Sequence, residues 1–216
     1  MTHASRFIVL STTKVGDKSL VLHTLSPDWG RRSFITSVSH KSPMALFLPL
    51  SLIEGEVVEN TKSDLWRLKE ISSSTPLNGI RSNVHKNTMT LFLSEVLLRT
   101  LKDGAFEEGL FEWCRGNILT LDAMESDFSN FHLRFLLEFA GALGFSPSIE
   151  DLMPFCGEHL DIVRHFLSCS AAESMLIPMS GAQRNAVASL FLDYISYHID
   201  SPLQIRSLSV LRELYK

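Results

Sequence analysis

Up to about residue 76, apolar and polar residues alternate in short runs; beyond about residue 80, apolar residues recur every three or four positions. The first rhythm belongs to strands buried on one face, the second to helices with one apolar stripe. Arg6–Thr12 (RFIVLST) is rich in β-branched and aromatic residues and runs into a VGD break. Ser19–Leu25 and Arg32–Val38 alternate on either side of SPDWGR, which predicts a hairpin. Leu46–Val58 reads as a long fourth strand, interrupted at Pro49 and Gly55 where a barrel would turn a corner. ENTKSD is a turn, and Leu65–Ile71 alternates again as a fifth strand. Short strands with turn signals at roughly ten-residue spacing predict a small sandwich or barrel.

In the second rhythm, Leu93, Val96, Leu97 and Leu101 mark one stripe of a helix over Met89–Leu101. Glu95 and Arg99 pair along it, and LKDG closes it at Gly104. Further helices are expected over Phe106–Thr120, Phe131–Leu143, 159–168, 182–199 and 206–216. Ser129 and Asn130 are candidate caps of the third, which Gly144 closes; Ser180 and Gln183 have the spacing of a capping box. The fold class expected is α+β, with a five-stranded barrel over residues 1–79 and an all-helical domain over 80–216. The boundary falls near PLNGIRS, residues 76–82.

The chain has 216 residues, 45% of them hydrophobic and 20% charged, enough to bury a sizeable core. No apolar run is long enough to span a bilayer, and the N-terminal stretch lacks the pattern of a secretory signal, so a cytoplasmic protein is expected. The three cysteines, Cys114, Cys156 and Cys169, have no CxxC spacing and suggest neither a disulfide framework nor a zinc site. Net charge is −4. Its distribution is more telling: residues 1–86 hold eleven Lys/Arg against seven Asp/Glu, and the remainder nine against seventeen. A surplus of four positive charges followed by an excess of eight negative ones suggests two parts with different partners.

Catalytic signatures are missing. There is no GxSxG, no phosphate-cradling glycine loop, no HExxH and no EF-hand pattern. His159, His165, Cys156 and Cys169 cluster in sequence, but their spacing completes no tetrahedral ligand set, and no metal, cofactor or enzymatic activity is expected. Binding is what remains. A small barrel with a positive surplus has the build of an OB-fold, which holds nucleic acid with a basic groove and aromatic platforms. Arg31, Arg32, Lys14, Lys18, Lys41, Lys62, Arg67 and Lys69 are the candidate phosphate contacts, with Trp29 as a platform or lid. Phe34 and Trp66 alternate with polar neighbours and read more as core than as platforms, and Arg32 has Asp28 within reach across the turn.

The order of these features resembles the RecO family of recombination mediators. The opening FIVLSTTKVGDKSLVLHTLSPDWGRRSFI, then LPLSLIEGEV and DLWRLKEI, are similar to the family's first strands. LFLSEVLLRTL, GLFEWCRGNILTL, LRFLLEFAGALGFSP and the closing LQIRSLSVLREL resemble its helices, so that the likeness covers nearly the whole chain. It implies a non-enzymatic protein that binds single- and double-stranded DNA, anneals complementary strands, partners RecR and engages the acidic tail of single-stranded-DNA-binding protein (SSB), helping RecA to load. Arg134 is the expected tail contact; its other reading is an ion pair with Glu138 four residues on. Three departures stand out. The loop after the third strand, usually dense in Lys and Arg, is SVSHKSP with only Lys41 certainly positive, which leaves open a protein scaffold with little direct DNA binding. The four-cysteine zinc site of some relatives has no counterpart, and the helical half is acidic.

Overall fold

The computed structural model describes residues 2–39 and 42–214. Its first elements are the strands β1 (Thr2–Val15), β2 (Ser19–Ser26), β3 (Gly30–Ser37), β4 (Leu52–Val58) and β5 (Trp66–Thr75). They close into a barrel in the order β1-β2-β3-β5-β4. β1 makes closure possible by serving two neighbours. Thr2–Ile8 pairs with β4 and Ile8–Val15 with β2, both antiparallel, with a bulge between Val9 and Ser11 that bends the strand from one partner to the other. The final seam is short and parallel: Phe34 opposite Trp66 and Ile35 opposite Arg67. Phe7, Val9, Leu20, Leu22, Phe34, Ile53, Val57 and Leu68 fill the interior, as the alternation requires. This is the expected OB-like barrel, followed by helices.

One strand is shorter than its pattern. Leu46–Val58 reads as a continuous run, but Met44–Phe47 forms a 3-10 turn and the strand begins only at Leu52. Pro49 interrupts the run, and Leu50, fully buried with φ +57°, turns the chain, its N–H bonding to the Val9 carbonyl at 2.7 Å. A buried leucine in the left-handed region is strained, and the core contacts of its side chain hold it there.

The helices are α1 (Asn78–Arg81), α2 (Val84–Thr100), α3 (Leu110–Ala123), α4 (Phe131–Ala142), α5 (Ile149–Cys156), α6 (Leu160–Ser168), α7 (Ala171–Met175), α8 (Gly181–His198) and α9 (Ser207–Leu214). The change from strand to helix comes at residues 76–78. The division into compact units comes later, between Asp122 and Ala123, because α1 to α3 pack with the barrel. Ile8 and Leu10, on the outside of β1, are buried where α2 packs. Gly79 meets the end of α3 so closely that a Cβ there would lie 2.0 Å from the Asp122 carbonyl oxygen, while the Asp122 carboxylate accepts from the Ile80 N–H at 2.7 Å.

In the unit formed by residues 123–216, α4 packs on α8 around Leu133, Leu136, Phe139, Val187, Phe191 and Ile195. The capping box at Ser180 and Gln183 is present, and two more open α5 (Ser148 with Asp151) and α7 (Ser170 with Glu173). Gly144, at φ +87°, closes the turn after α4, with the Phe145 N–H reaching back to Ala140. Asn130 does not cap α4. Its side-chain amide is buried, donates to the carbonyls of Ser174 and Ile177 at 3.0 and 2.8 Å, and accepts from Arg184 at 2.8 Å. No helix among the described residues is long and apolar enough to cross a membrane.

Candidate nucleic-acid interface

The β2–β3 tip, rich in candidate residues, is fastened to its own unit. Gly30 takes φ +59°, and a Cβ there would fall 2.0 Å from the Ala105 carbonyl oxygen; only glycine allows this approach. The Arg31 N–H donates to the Ala105 carbonyl at 2.9 Å and the Gly104 N–H to the Arg31 carbonyl at 2.8 Å, a two-bond ladder between the tip and the α2–α3 connection. The Arg31 guanidinium, 13% exposed, lies 2.8 Å from the Asp103 carboxylate. Helix α3 therefore starts at Leu110 rather than Phe106: residues ahead of it form the connection that receives the tip.

Arg32 lies flat over the Trp66 indole, its guanidinium carbon 3.6 Å from the ring centroid, and donates to the Asp64 carbonyl at 3.2 Å. It does not pair with Asp28, whose carboxylate accepts from the Ser5 hydroxyl. Trp29 folds back over the barrel end. One face stacks on Phe7, with centroids 6.2 Å apart and planes 7° off parallel, and its ring meets Phe34 and Trp66 edge to face. That is the position of a lid, with Phe34 wholly buried beneath it.

Other cations are unencumbered. Lys18 sits in the turn after β1 and Lys62 in the β4–β5 connection, while Arg67 and Lys69 point outward from β5; all are exposed, and their side chains make no ion pair among the described residues. Arg67 neighbours Ile35 across the parallel seam, and Lys69 stands opposite Glu56. The two β5 cations line a groove of ≈ 430 Å³ with Thr36, Ser37, Leu46, Phe47 and one acid, Glu70, where the β3–β5 pairing stops. Lys14 is also exposed but, paired with Leu20, lies across the ribbon from Thr13 and Val21. Lys41 is outside the described residues. Between these cations the outer surface of β2 and β3 carries Val21, His23, Ser33 and Ile35. His23 bonds to the Thr13 and Ser33 hydroxyls at 3.3 and 2.9 Å; partial burial, then the Arg31 charge, lower its pKa, with Asp103 opposing.

The side of the barrel around β4 and the start of β1 is different. Asp28, Glu54, Glu56 and Glu70 line a groove there with Arg6, whose guanidinium is bound to Glu112 at 2.8 Å. Such a surface repels a phosphate chain. In the other unit, Arg134 donates to the Glu138 carboxylate at 2.5 Å and to the carbonyls of Phe166 and Cys169 at 3.1 and 3.2 Å. It forms the ion pair that its spacing allows and also holds the end of α6.

The geometry thus leaves Lys18, Lys62, Arg67 and Lys69 exposed on the barrel, with Arg67 and Lys69 in one groove, and draws Arg31, Arg32, Trp29 and Arg134 into intramolecular contacts. Asp64 and Asp103, which hold the arginines, carry no local sequence signal, because their partners are distant in the chain.

A small closed barrel followed by helices is the architecture of an OB-fold protein with a helical C-terminal part. Comparison with known proteins narrows it. Residues 81–152 match the family model described as "Recombination protein O C terminal". The chain is similar to the DNA repair protein RecO of Phocaeicola vulgatus, 31% identical over 96% of this chain and 97% of that one. It is also similar to the DNA repair protein RecO of Flavobacterium johnsoniae, 27% identical over 98% of each. The chain belongs to the RecO family, and its role lies in DNA repair and recombination.

Proposed function

We propose that this protein is a recombination mediator without catalytic chemistry. In this reading it binds single- and double-stranded DNA through the barrel, anneals complementary strands, and with RecR helps RecA to load onto DNA coated with SSB, whose acidic tail it engages. One observation carries the DNA part: Lys18, Lys62, Arg67 and Lys69 are exposed without ion pairs, at the loops and strand edge where OB-folds take oligonucleotides. Lys14 and Lys41 add charge to the same turn and loop region of the sequence. Cations of this kind release counterions on meeting phosphate, which also lowers the repulsion between two strands being annealed. Arg31 and Arg32 serve the site by fixing the tip that borders it, and Trp29 by closing the barrel end. Arg134 contributes to tail binding through the α4–α6 contact it maintains.

The test is a titration of fluorescently labelled single-stranded DNA between 50 and about 200 mM salt, with and without a peptide matching the SSB tail. Binding that weakens steeply with salt is expected; no binding at the lowest salt, or binding indifferent to salt, overturns the DNA reading. A second reading, a scaffold that docks SSB and RecR with little DNA contact, is favoured by the engagement of Arg31 and Arg32 within the protein. Tail-peptide binding together with undetectable DNA binding decides for it.

A further inference from the structure

Beside the Arg32–Trp66 stack lies an open cleft of ≈ 460 Å³, lined by Arg32, Ser33, Asp64, Leu65, Asp103 and Gly104. Its chemistry is unlike that of the basic groove. Two carboxylates stand against one guanidinium, so the cleft is poorly suited to a phosphate. Trp66 covers one face of the guanidinium at 3.6 Å, and Arg32 is among the residues that line the cleft. A planar cation already backed by an indole is a platform on which an unpaired base stacks. Leu65 supplies an apolar wall.

The edges of the cleft accept rather than donate. One Asp103 oxygen is held by Arg31, and the Asp64 carbonyl is held by Arg32, while the Asp64 carboxylate is exposed and without a partner. Among the bases, guanine offers two adjacent N–H donors, at N1 and the exocyclic amine, that match one carboxylate. Thymine offers a single N–H flanked by oxygens, which a carboxylate repels.

We propose that this cleft is a base-reading subsite for one unpaired guanine of a single strand, stacked on Arg32 and hydrogen-bonded to the Asp64 carboxylate. It rests on the DNA-binding reading above and adds selectivity that phosphate contacts do not confer.

The test compares a labelled all-thymine oligonucleotide with one carrying a single central guanine, on the full chain and on the Asp64→Asn and Arg32→Lys variants. The guanine strand is expected to bind about fivefold to tenfold more tightly. Asp64→Asn should bring that ratio to about one, because the amide presents one acceptor where the carboxylate presents two. Arg32→Lys, which keeps the charge and loses the plane, should also bring the ratio close to one. Equal affinity of the unaltered protein for both strands overturns the subsite and leaves the DNA reading standing. A ratio that survives Asp64→Asn overturns the assignment to this cleft. Failure to bind either strand removes both the subsite and the DNA reading beneath it.

Discussion

Arg31 and Lys18 carry the same charge on the same barrel and are put to opposite use. Arg31 at the β2–β3 tip is nearly enclosed, its guanidinium on Asp103 and its backbone laddered to Ala105 and Gly104. Lys18 at the β1–β2 turn is exposed, its side chain touching no acid. The contrast recurs without being a rule: Arg32, Arg81 and Arg134 donate to backbone carbonyls, whereas Lys14, Lys62 and Lys69 stay exposed, with Lys86, buried on the Asp122 carbonyl, and the exposed Arg67 as exceptions. A planar fork of donors suits fixed acceptors, and a flexible ammonium suits a mobile polyanion. Counting basic residues along a sequence therefore overstates the charge available to a ligand.

The sharpest way to break this contrast is at Gly30. Gly30→Val forces a β-branched side chain into a positive-φ position and into the Ala105 carbonyl, and should cost the barrel unit about 3 kcal/mol or more in urea unfolding. A smaller loss would mean that the tip is not fastened as described.

A buried titratable group in the helical unit comes next. His132 is wholly buried, and its pKa falls to about 3, chiefly through desolvation and secondarily through Arg184. The unfolded chain, titrating near 6.5, binds the proton that the folded one refuses. Stability is thus full above pH 6.5 and declines as pH falls toward 3, by about 1.4 kcal/mol per unit. Denaturant midpoints at pH 7 and pH 5 should differ by about 2 kcal/mol from this group, a difference that His132→Gln removes.

Arg134→Ala leaves two carbonyls and the Glu138 carboxylate without their donor and should cost about 2 kcal/mol of stability, with no peptide present. Arg31→Met should cost about 1–2 kcal/mol while leaving the salt dependence of DNA binding untouched. Smallest in stability is the Lys18→Ala, Lys62→Ala double variant, whose thermal midpoint should stay within about 0.5 kcal/mol of the parent. Its slope of log affinity against log salt should flatten by about 1.4 for single strands.

How much of this could be read from the chain follows from where the information lies. Alternation in Ser19–Leu25 and Arg32–Val38 was sufficient for the hairpin, because inward Leu22 and Phe34 impose a period of two. Leu46–Val58 misled because Pro49 and Leu50 look like an interrupted strand, while buried Leu50 makes a sharp turn that only tertiary contacts support. Helices α5 and α7 were not among the expected helices because they are short and weakly periodic; the capping boxes of Ser148 with Asp151 and Ser170 with Glu173 are the local signal that marks them. At the candidate site, the exposed cations Lys18, Lys62, Arg67 and Lys69 are visible in the chain as residue types alone. The occupation of Arg31 by Asp103 and of Arg32 by Trp66 is not visible there, since those partners are brought near by barrel closure and by the docking of the α2–α3 connection.

The central claim is that unpaired cations, rather than the arginine-rich tip, hold DNA. The measurement that tests it most directly is the salt slope of single-stranded DNA affinity in two variants beside the parent: Lys18, Lys62, Arg67 and Lys69 all changed to Ala, and Arg31→Met alone. The fourfold variant should lose about 2.8 from the slope, with weaker binding at every salt concentration, and Arg31→Met should keep the parent slope. A parent-like slope in the fourfold variant, or its loss in Arg31→Met, would contradict the account.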